Sequence, residues 1–378
     1  MTILSLEQPT FDLGGVQEPS AELLAAMQQG RYIYHARDGK LSKIDVEKVL
    51  LPHEPKGHPQ NVFLAKGPDG SVFVQQETIM CKSTDGGRTW DAHDMKLPPS
   101  NARFHILDDG TFVTIHHDGK DVQEDPGRLY VWASHDEGRT AEIVHEVANP
   151  ANLPERHGGP IAVLADGTLA TTIESRAVLG HDPTYVHLSK DRGKTWQGPT
   201  GMNSGAHFLG GKCYETMICP MPSGKLQAVI RYHGPLVPAW PSYPRGKAVS
   251  YKTVFLCDSF DGGVTWQDLR PLTNVHGQCH GHGLALEDGT VILTHDHRYV
   301  PGTPCGRAMI SRDEGTTWQD EVYYLYFGVE YSGFSQSVLL DDGTILTSGG
   351  TSDEPETVTW ESFKDHTDCW AIRWRPVD

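Results

Sequence analysis

The sequence predicts an all-β fold, a six-bladed β-propeller formed by a single chain of 378 residues. Three observations lead to this prediction. A turn motif recurs along the chain, a unit of two short apolar strands around a glycine occurs six times, and turn-forming residues are abundant, with 40 Gly and 25 Pro. Short strands joined by glycine turns and repeated at a regular period are typical of propellers, in which each repeat forms one blade.

The turn motif has the pattern Ser-x-Asp-x-Gly-x-Thr-Trp and returns about every fifty residues. Its Asp can accept backbone hydrogen bonds within the turn, its Gly permits a positive φ, and its Trp can pack between layers. Four full copies occupy residues 83–90, 189–196, 259–266 and 311–318, and a fifth at 134–141 has Ala141 in place of the tryptophan. We interpret the five Asp residues of these turns as structural.

The second repeat consists of a short apolar strand, a tight turn that ends in Gly, and another apolar strand. Its six copies predict six blades, with turn glycines at Gly70, Gly110, Gly167, Gly224, Gly289 and Gly343. We expect one domain over residues 1–378, in which segment 1–57 supplies a short helix at 21–29 and a closing strand at 31–35. A seventh blade built from this N-terminal segment is the alternative.

Charge and composition exclude several classes of function. Lys and Arg number 32 against 49 acidic residues, and the net charge of −17 disfavours binding to nucleic acid or to an anionic membrane. No apolar run reaches membrane-spanning length, and the first residues do not resemble a secretory signal. The seven cysteines are dispersed without a C-x-x-C pair, which favours reduced thiols and a cytoplasmic location. The oligomeric state stays open.

The turn glycine defines a common register in which the blades can be compared. Nine residues before it stand Asn61, Asn101, Gly158, Glu215, His280 and Phe334. Seven residues after it stand Glu77, His117, Glu174, Arg231, Asp296 and Gly350. Arg103 and His282 lie two places further along their inner strands. Since the ends of inner strands converge near the axis of a propeller, these charged residues predict a polar site there.

The turn motifs resemble the Asp boxes, or BNR repeats, of the sialidase (neuraminidase) superfamily, over roughly residues 58–376. This resemblance implies a glycoside hydrolase. In sialidases the fourth blade carries a glutamate that activates a tyrosine nucleophile, together with an arginine that binds the substrate carboxylate. Glu215 and Arg231 match these two positions in register. Arg298 and Arg307 resemble arginines of the broader BNR-repeat hydrolases, and either is a candidate second carboxylate clamp.

The chain departs from the sialidase pattern at three places. It has no Arg-Ile-Pro segment near the N-terminus, and Phe334 stands where the nucleophilic tyrosine is expected. Tyr331, three residues earlier, is the nearest replacement. No Asp acid/base follows the inner strands of the first blade, where Glu77 is the nearest carboxylate.

Histidines are abundant at the predicted mouth, and imidazole is a general acid or base near neutral pH. We therefore predict the catalytic candidates Glu215, His117, His280 and Tyr331. The predicted substrate-binding residues are Arg231, Arg103, His282, Arg298, Arg307, Glu174, Glu77 and Asp296. No cofactor is expected, and the alternative is a divalent metal at His280, His282, His295 and His297.

These residues predict a carbohydrate-active enzyme that cleaves a glycosidic bond of an acidic glycan, a sialidase-like hydrolase whose partner is an acidic oligosaccharide. One alternative is a uronate lyase, in which Arg neutralises the sugar carboxylate and His or Tyr removes the adjacent proton. A non-catalytic glycan-binding propeller is a second alternative, and a metal-dependent hydrolase or isomerase is a third.

Overall fold

The computed structural model of the protein describes residues 31–38, 40–52, 62–76, 78–98, 103–116, 129–147, 155–175, 184–201, 212–237, 249–272, 277–297, 305–318, 321–327, 331–332, 334–352 and 367–377. These residues form strands and turns only, in six sheets of antiparallel strands. The predicted all-β, six-bladed propeller is therefore confirmed. Within the described residues there is no helix of the length and apolarity that a membrane span requires. The predicted helix at 21–29 lies outside the described residues.

Each sheet is one blade, and its strands follow one another outwards from the axis. Blade one contains β4 (Phe63–Lys66), β5 (Val72–Gln76), β6 (Ile79–Ser83) and β7 (Asp91–Asp94). Blade two contains β8 (His105–Ile106), β9 (Phe112–His116), β10 (Leu129–Ser134) and β11 (Glu142–Val147). In blade three, β12 (Glu155–Gly158) and β13 (Ala162–Val163) share the inner place, followed by β14 (Leu169–Ser175), β15 (Thr184–Ser189) and β16 (Gln197–Gly201).

The second half of the chain repeats this order. Blade four contains β17 (Lys212–Pro220), β18 (Leu226–Val237), β19 (Val249–Ser259) and β20 (Gln267–Pro271). Blade five contains β21 (Gln278–Ala285), β22 (Val291–His297), β23 (Cys305–Ser311) and β24 (Glu321–Phe327). In blade six, β25 (Tyr331–Ser332) and β26 (Gln336–Leu339) share the inner place, followed by β27 (Ile345–Ser352) and β28 (Thr367–Trp374).

The N-terminal segment contributes to two blades. Strand β3 (Glu47–Leu50) pairs with β28 and supplies the outermost strand of blade six. Strand β1 (Tyr32–Arg37) pairs with β24, and β2 (Lys40–Asp45) pairs with β1, so blade five is extended to six strands. The expected closing strand at 31–35 instead falls largely within β1 of blade five, whose four central residues are buried, and β3 is the N-terminal strand that completes blade six.

The two kinds of turn account for both sequence repeats. All six turn glycines have φ between 74° and 88°, a region that other residues adopt at a cost. The five Ser-x-Asp-x-Gly segments, which we call the Asp turns, join the third and fourth strands of blades one to five. In the third copy, Asp191 accepts hydrogen bonds from the Thr195 N–H at 2.8 Å and its hydroxyl at 2.5 Å. The Trp196 indole donates to the carbonyl of Gly193 at 3.1 Å.

The hydrophobic core consists of six clusters, one between each pair of neighbouring blades. Blades four and five, for example, share Met217, Leu256 and Leu293. The ring closes in the same way, since Leu346 and Ala371 of blade six pack with Val74 of blade one. Every blade therefore buries both faces, which requires the near-continuous apolar character of the middle strands.

Candidate functional site

Two neighbouring inner strands are irregular at the same register position. Glu215 of β17 has φ 42° and His280 of β21 has φ 51°. Each lies within a β-bulge, because pairing with the second strand shifts between Tyr214 and Met217 and between Cys279 and His282. Holding a non-glycine residue in this region costs roughly 1–3 kcal/mol and is found most often at functional sites. The paired irregularity therefore identifies the ends of β17 and β21 as a candidate site.

A chain of charged groups connects the two bulges. Arg231 of β18 donates a hydrogen bond from Nη1 to Glu215 Oε2. His280 Nε2 lies 2.9 Å from the same carboxylate oxygen and 2.8 Å from Arg231 Nη1. On the other side of the ring, His280 Nδ1 lies 2.9 Å from Oδ2 of Asp296. The side chains of His280 and Asp296 are 0% exposed, while that of Glu215 is 23% exposed. This series of charged groups therefore leads from the protein interior to a carboxylate that solvent can reach.

The charge state of Glu215 follows from these contacts. Burial by itself would raise the pKa of the carboxyl group, but Arg231 and His280 outweigh it and hold the pKa well below its usual range. Glu215 is therefore an ionised carboxylate at neutral pH.

A second carboxylate lies next to the first. The backbone N–H of Glu215 donates to Oε1 of Glu174, which is 3% exposed and comes from β14 of blade three. Arg103 of blade two is 5% exposed and interacts electrostatically with both glutamates. Burial lowers the pKa of Arg103 to about 10, which leaves it protonated. Its Nη1 has no hydrogen-bond partner among the described residues.

Phe334 packs against His280 and Arg103 of this charged cluster. Its ring is 3% exposed and lies 4.1 Å from the His280 ring and 5.6 Å from the Phe63 ring, measured between centroids. The guanidinium carbon of Arg103 lies 4.6 Å from the Phe334 centroid. Blades one, two, five and six therefore meet at Phe334, the register position at which the resemblance would require a tyrosine.

Two further histidines border the group in neutral form. Burial, followed by the charge of Arg103, lowers the pKa of His282 to about 3. Burial and Arg231 lower the pKa of His233 to about 2, and the His233 ring lies 4.4 Å from that of Tyr214. Nδ1 of His282 has no hydrogen-bond partner among the described residues, so it is available for a hydrogen bond with a ligand.

The structure therefore brings together seven of the predicted site residues: Glu215, Arg231, His280, Asp296, Glu174, Arg103 and His282. Arg307 is placed differently, on the third strand of blade five, with Nε donating to Cys305 Sγ at 3.0 Å. Its guanidinium carbon lies 5.0 Å from the Tyr324 centroid. Glu77, His117 and Arg298 lie outside the described residues, and of Tyr331 only the backbone, in β25, is described.

The four histidines suggested as metal ligands do not face one point. Asp296 faces His280, and side chains alternate along a strand, so His295 and His297 lie on the opposite face of β22. His295 pairs with Arg307 across β22 and β23, and burial and that arginine lower its pKa to about 4. The spacing rule applied to the sequence assumed regular strands, and the bulge at His280 breaks that regularity.

Sequence reasoning did not single out Cys279, which it counted only as one of seven dispersed cysteines. Cys279 is 0% exposed and pairs directly with Asp296 across β21 and β22. One ligand atom each of Cys279, His280 and Asp296 lies within 4.8 Å of the others. The available signal was the direct adjacency of Cys279 to a histidine at a mouth position.

The fold and this site define a six-bladed β-propeller with a charged group at the ends of its inner strands. No family model matches the chain, and no curated protein matches it. Among solved structures, it is similar to a Dyadobacter fermentans protein of unknown function, with 18% identity over 87% of this chain and 98% of that one, at a TM-score of 0.63.

Two enzymes share the fold at comparable coverage. The GH93 α-L-arabinofuranosidase of Fusarium graminearum in complex with arabinobiose has 14% identity over 87% of this chain and 98% of that one, at a TM-score of 0.63. The intramolecular trans-sialidase of Ruminococcus gnavus in complex with oseltamivir carboxylate has 12% identity over 83% and 94%, at a TM-score of 0.52. At such identities the similarity establishes the fold alone, and the predicted propeller fold, which these enzymes share, is confirmed.

Proposed function

We propose that the chain is a glycoside hydrolase that cleaves the bond next to an acidic sugar, with Glu215 and Glu174 as its catalytic carboxylates. The observation that carries this proposal is the position of Glu215, held on a bulge by Arg231 and His280 while its backbone N–H binds Glu174. Two neighbouring carboxyl groups are the usual machinery of glycoside hydrolysis.

We infer different roles for the two carboxyl groups. Arg231 and His280 stabilise the negative charge of Glu215, which suits a nucleophile or the general base that activates water. We assign Glu174 the complementary role of general acid, which requires that it carry a proton when the substrate is bound. Glu174 would protonate the glycosidic oxygen while the bond from that oxygen to the anomeric carbon breaks. His117 and Tyr331 remain further acid/base candidates.

The position of Arg103 is the argument for an acidic substrate. It is a buried guanidinium beside both glutamates, and its Nη1 has no hydrogen-bond partner among the described residues. A carboxylate is the group that pairs best with a guanidinium, through two parallel hydrogen bonds. A sugar carboxylate bound by Arg103 would present its anomeric carbon to Glu215.

Elimination is the second candidate, favoured by one observation. His282 offers a neutral ring with an unpartnered Nδ1 among the described residues, beside Arg103. In β-elimination an arginine neutralises the uronate carboxylate, a base removes the C5 proton, and the leaving oxygen is protonated as its bond to C4 breaks and the C4–C5 double bond forms. We place this candidate second because it leaves the Glu215 and Glu174 pair without a role.

A substrate screen tests the proposal. The panel contains sialylated and uronate oligosaccharides, together with arabinobiose, the sugar bound in the Fusarium neighbour. New reducing ends without ultraviolet absorbance indicate hydrolysis, and an absorbing unsaturated uronate indicates elimination. Glu215→Gln should lower kcat by about 10²–10⁴-fold. The exposed Glu142→Gln on β11 is the matched control and should leave turnover unchanged.

Two results would contradict the proposal. If the parent protein turns over no member of the panel but binds one, the protein is a binding propeller. If Glu215→Gln cleaves as fast as Glu142→Gln does, the carboxylate of Glu215 has no catalytic role.

A further inference from the structure

We propose that Cys279, His280 and Asp296 form a binding site for one divalent transition metal, with zinc the best suited. The three side chains belong to paired inner strands of blade five and are 0% exposed. Their ligand atoms, one Sγ, one imidazole nitrogen and one carboxylate oxygen, lie within 4.8 Å of one another. The inference concerns metal binding: the site shares His280 with the proposed hydrolase site but does not depend on the hydrolase activity.

The local fold explains why these side chains converge. Cys279 and Asp296 are directly paired across β21 and β22, so both side chains point to the same face. The bulge that follows Cys279 then turns His280 to that face as well, with its Nδ1 2.9 Å from Asp296 Oδ2. In a regular strand, adjacent residues such as Cys279 and His280 would point to opposite faces.

The donor set favours a borderline metal over magnesium or calcium. Thiolate, imidazole and carboxylate are the three ligand types of zinc sites, whereas magnesium and calcium take oxygen ligands only. Three protein ligands leave one tetrahedral position for water or another group. The charges also balance, since a thiolate and a carboxylate in the interior carry two negative charges that a divalent cation neutralises.

The surroundings of His280 support ligation through Nδ1. A ligating histidine usually donates its other ring N–H to a carboxylate, which fixes the tautomer and the ring orientation. His280 Nε2 lies 2.9 Å from Glu215 Oε2 and can donate to it, while the neighbouring Arg231 Nη1, 2.8 Å from Nε2, donates to the same carboxylate oxygen. On binding, the Cys279 thiol releases its proton to solvent. The single proton of the neutral imidazole leaves Nδ1, which becomes the ligand, and is carried on Nε2, which donates it to Glu215. Neither the metal nor the thiol is oxidised or reduced in this step.

Metal analysis of the intact protein tests the inference. After removal of metal with a chelator, Zn²⁺ and Co²⁺ are titrated into the protein, with elemental analysis after dialysis. We expect one equivalent of bound metal and, with cobalt, the near-ultraviolet band of a thiolate ligand. Binding of zinc near neutral pH should also release about one proton, measured by calorimetry in buffers of different ionisation enthalpy.

Substitutions separate this site from adventitious binding. Cys279→Ser should remove the cobalt–thiolate band. It should also weaken metal affinity by more than 10–100-fold, because roughly that loss already follows when only a residue hydrogen-bonded to a metal ligand is removed. The matched control is Cys257→Ser, a buried cysteine of β19 whose Sγ donates to the Gln267 carbonyl, and it should bind as the parent does. Circular dichroism checks the fold of both variants.

The inference fails if the parent binds no equivalent of zinc or cobalt, or if bound cobalt shows no thiolate band. The cobalt–thiolate band is measured on the parent protein alone, so it tests the metal site even if Cys279→Ser does not fold. Unchanged affinity in a folded Cys279→Ser variant overturns it as well. Because none of these readouts measures glycoside cleavage, a negative result leaves the proposed hydrolase function standing.

Discussion

Phe334 provides the sharpest test of the arrangement at the axis. Its ring contacts groups from three other blades: His280, Phe63 and Arg103. If the six blades meet as described, truncating this one side chain should weaken several blade contacts together. We therefore compare Phe334→Ala with Phe260→Ala, because Phe260 is the most exposed large hydrophobic side chain among the described residues, at 65%.

The expected magnitude follows from the burial of the ring. A Phe-to-Ala change at a fully packed site costs about 3–5 kcal/mol, since apolar contacts are lost and a cavity remains. Phe334 is 3% exposed, and its ring and cation contacts each add roughly 0.5–1 kcal/mol, so we expect about 4–5 kcal/mol. Phe334→Leu fills most of the space and should cost about 1–1.5 kcal/mol. Phe260→Ala should change the stability by less than about 0.5 kcal/mol.

Urea unfolding, monitored by tryptophan fluorescence, measures these differences in the free energy of unfolding. The reasoning is refuted if Phe334→Ala lowers the unfolding midpoint no more than Phe260→Ala does. It is also refuted if Phe334→Leu and Phe334→Ala are equally destabilised, since ring volume would then not be the quantity that matters.

Three further predictions concern the turns and the close packing of blade five. Asp191→Ala should destabilise the protein by about 0.5–1.5 kcal/mol in urea unfolding, because the exposed N–H and hydroxyl of Thr195 lose their acceptor and must turn to water. The hydrogen bonds from Thr195 lower the pKa of Asp191 to about 2, below the value near 4 of the unfolded chain. The contribution of the Asp191 carboxylate to the free energy of unfolding should be fully present above about pH 4 and should disappear as the pH falls towards 2. The urea midpoints of Asp191→Ala and the parent should therefore converge in acid. Gly306→Ala should cost about 1–3 kcal/mol, because a Cβ there would overlap the ring of Tyr326, and a Tyr326→Leu background should reduce this cost. Equal costs in both backgrounds would contradict the last prediction.

The sequence could predict the architecture because the repeats carry their own geometry. A glycine with positive φ at each of six equivalent turns sets the register, and the position of Glu215 relative to Gly224 follows from it. The same register correctly placed Arg231 beside Glu215, seven residues after the turn. Local turn chemistry is encoded within a few residues, so a single sequence suffices to read it.

The details of the site could not be read in the same way. A bulge shifts the side chains on one side of it relative to the other, so the alternation rule misplaced the histidines of blade five and overlooked Cys279. The edge on which an N-terminal strand pairs depends on contacts distant in sequence. His35 Nε2 lies 3.1 Å from Glu321 Oε1, a contact across 286 positions that no local pattern indicates.

The identity of residue 334 constrains the chemistry that this propeller can perform. Phenylalanine has no hydroxyl, so this register position cannot supply the tyrosine nucleophile that the sialidase resemblance implies. Arg231 and His280 nevertheless hold Glu215 as an ionised carboxylate at the equivalent place two blades before. In the proposed hydrolysis, with no tyrosine at position 334 to activate, Glu215 would either attack the anomeric carbon directly or activate a water. Direct attack retains the anomeric configuration and water activation inverts it, so the first anomer released from a cleaved substrate, followed by NMR, would distinguish the two.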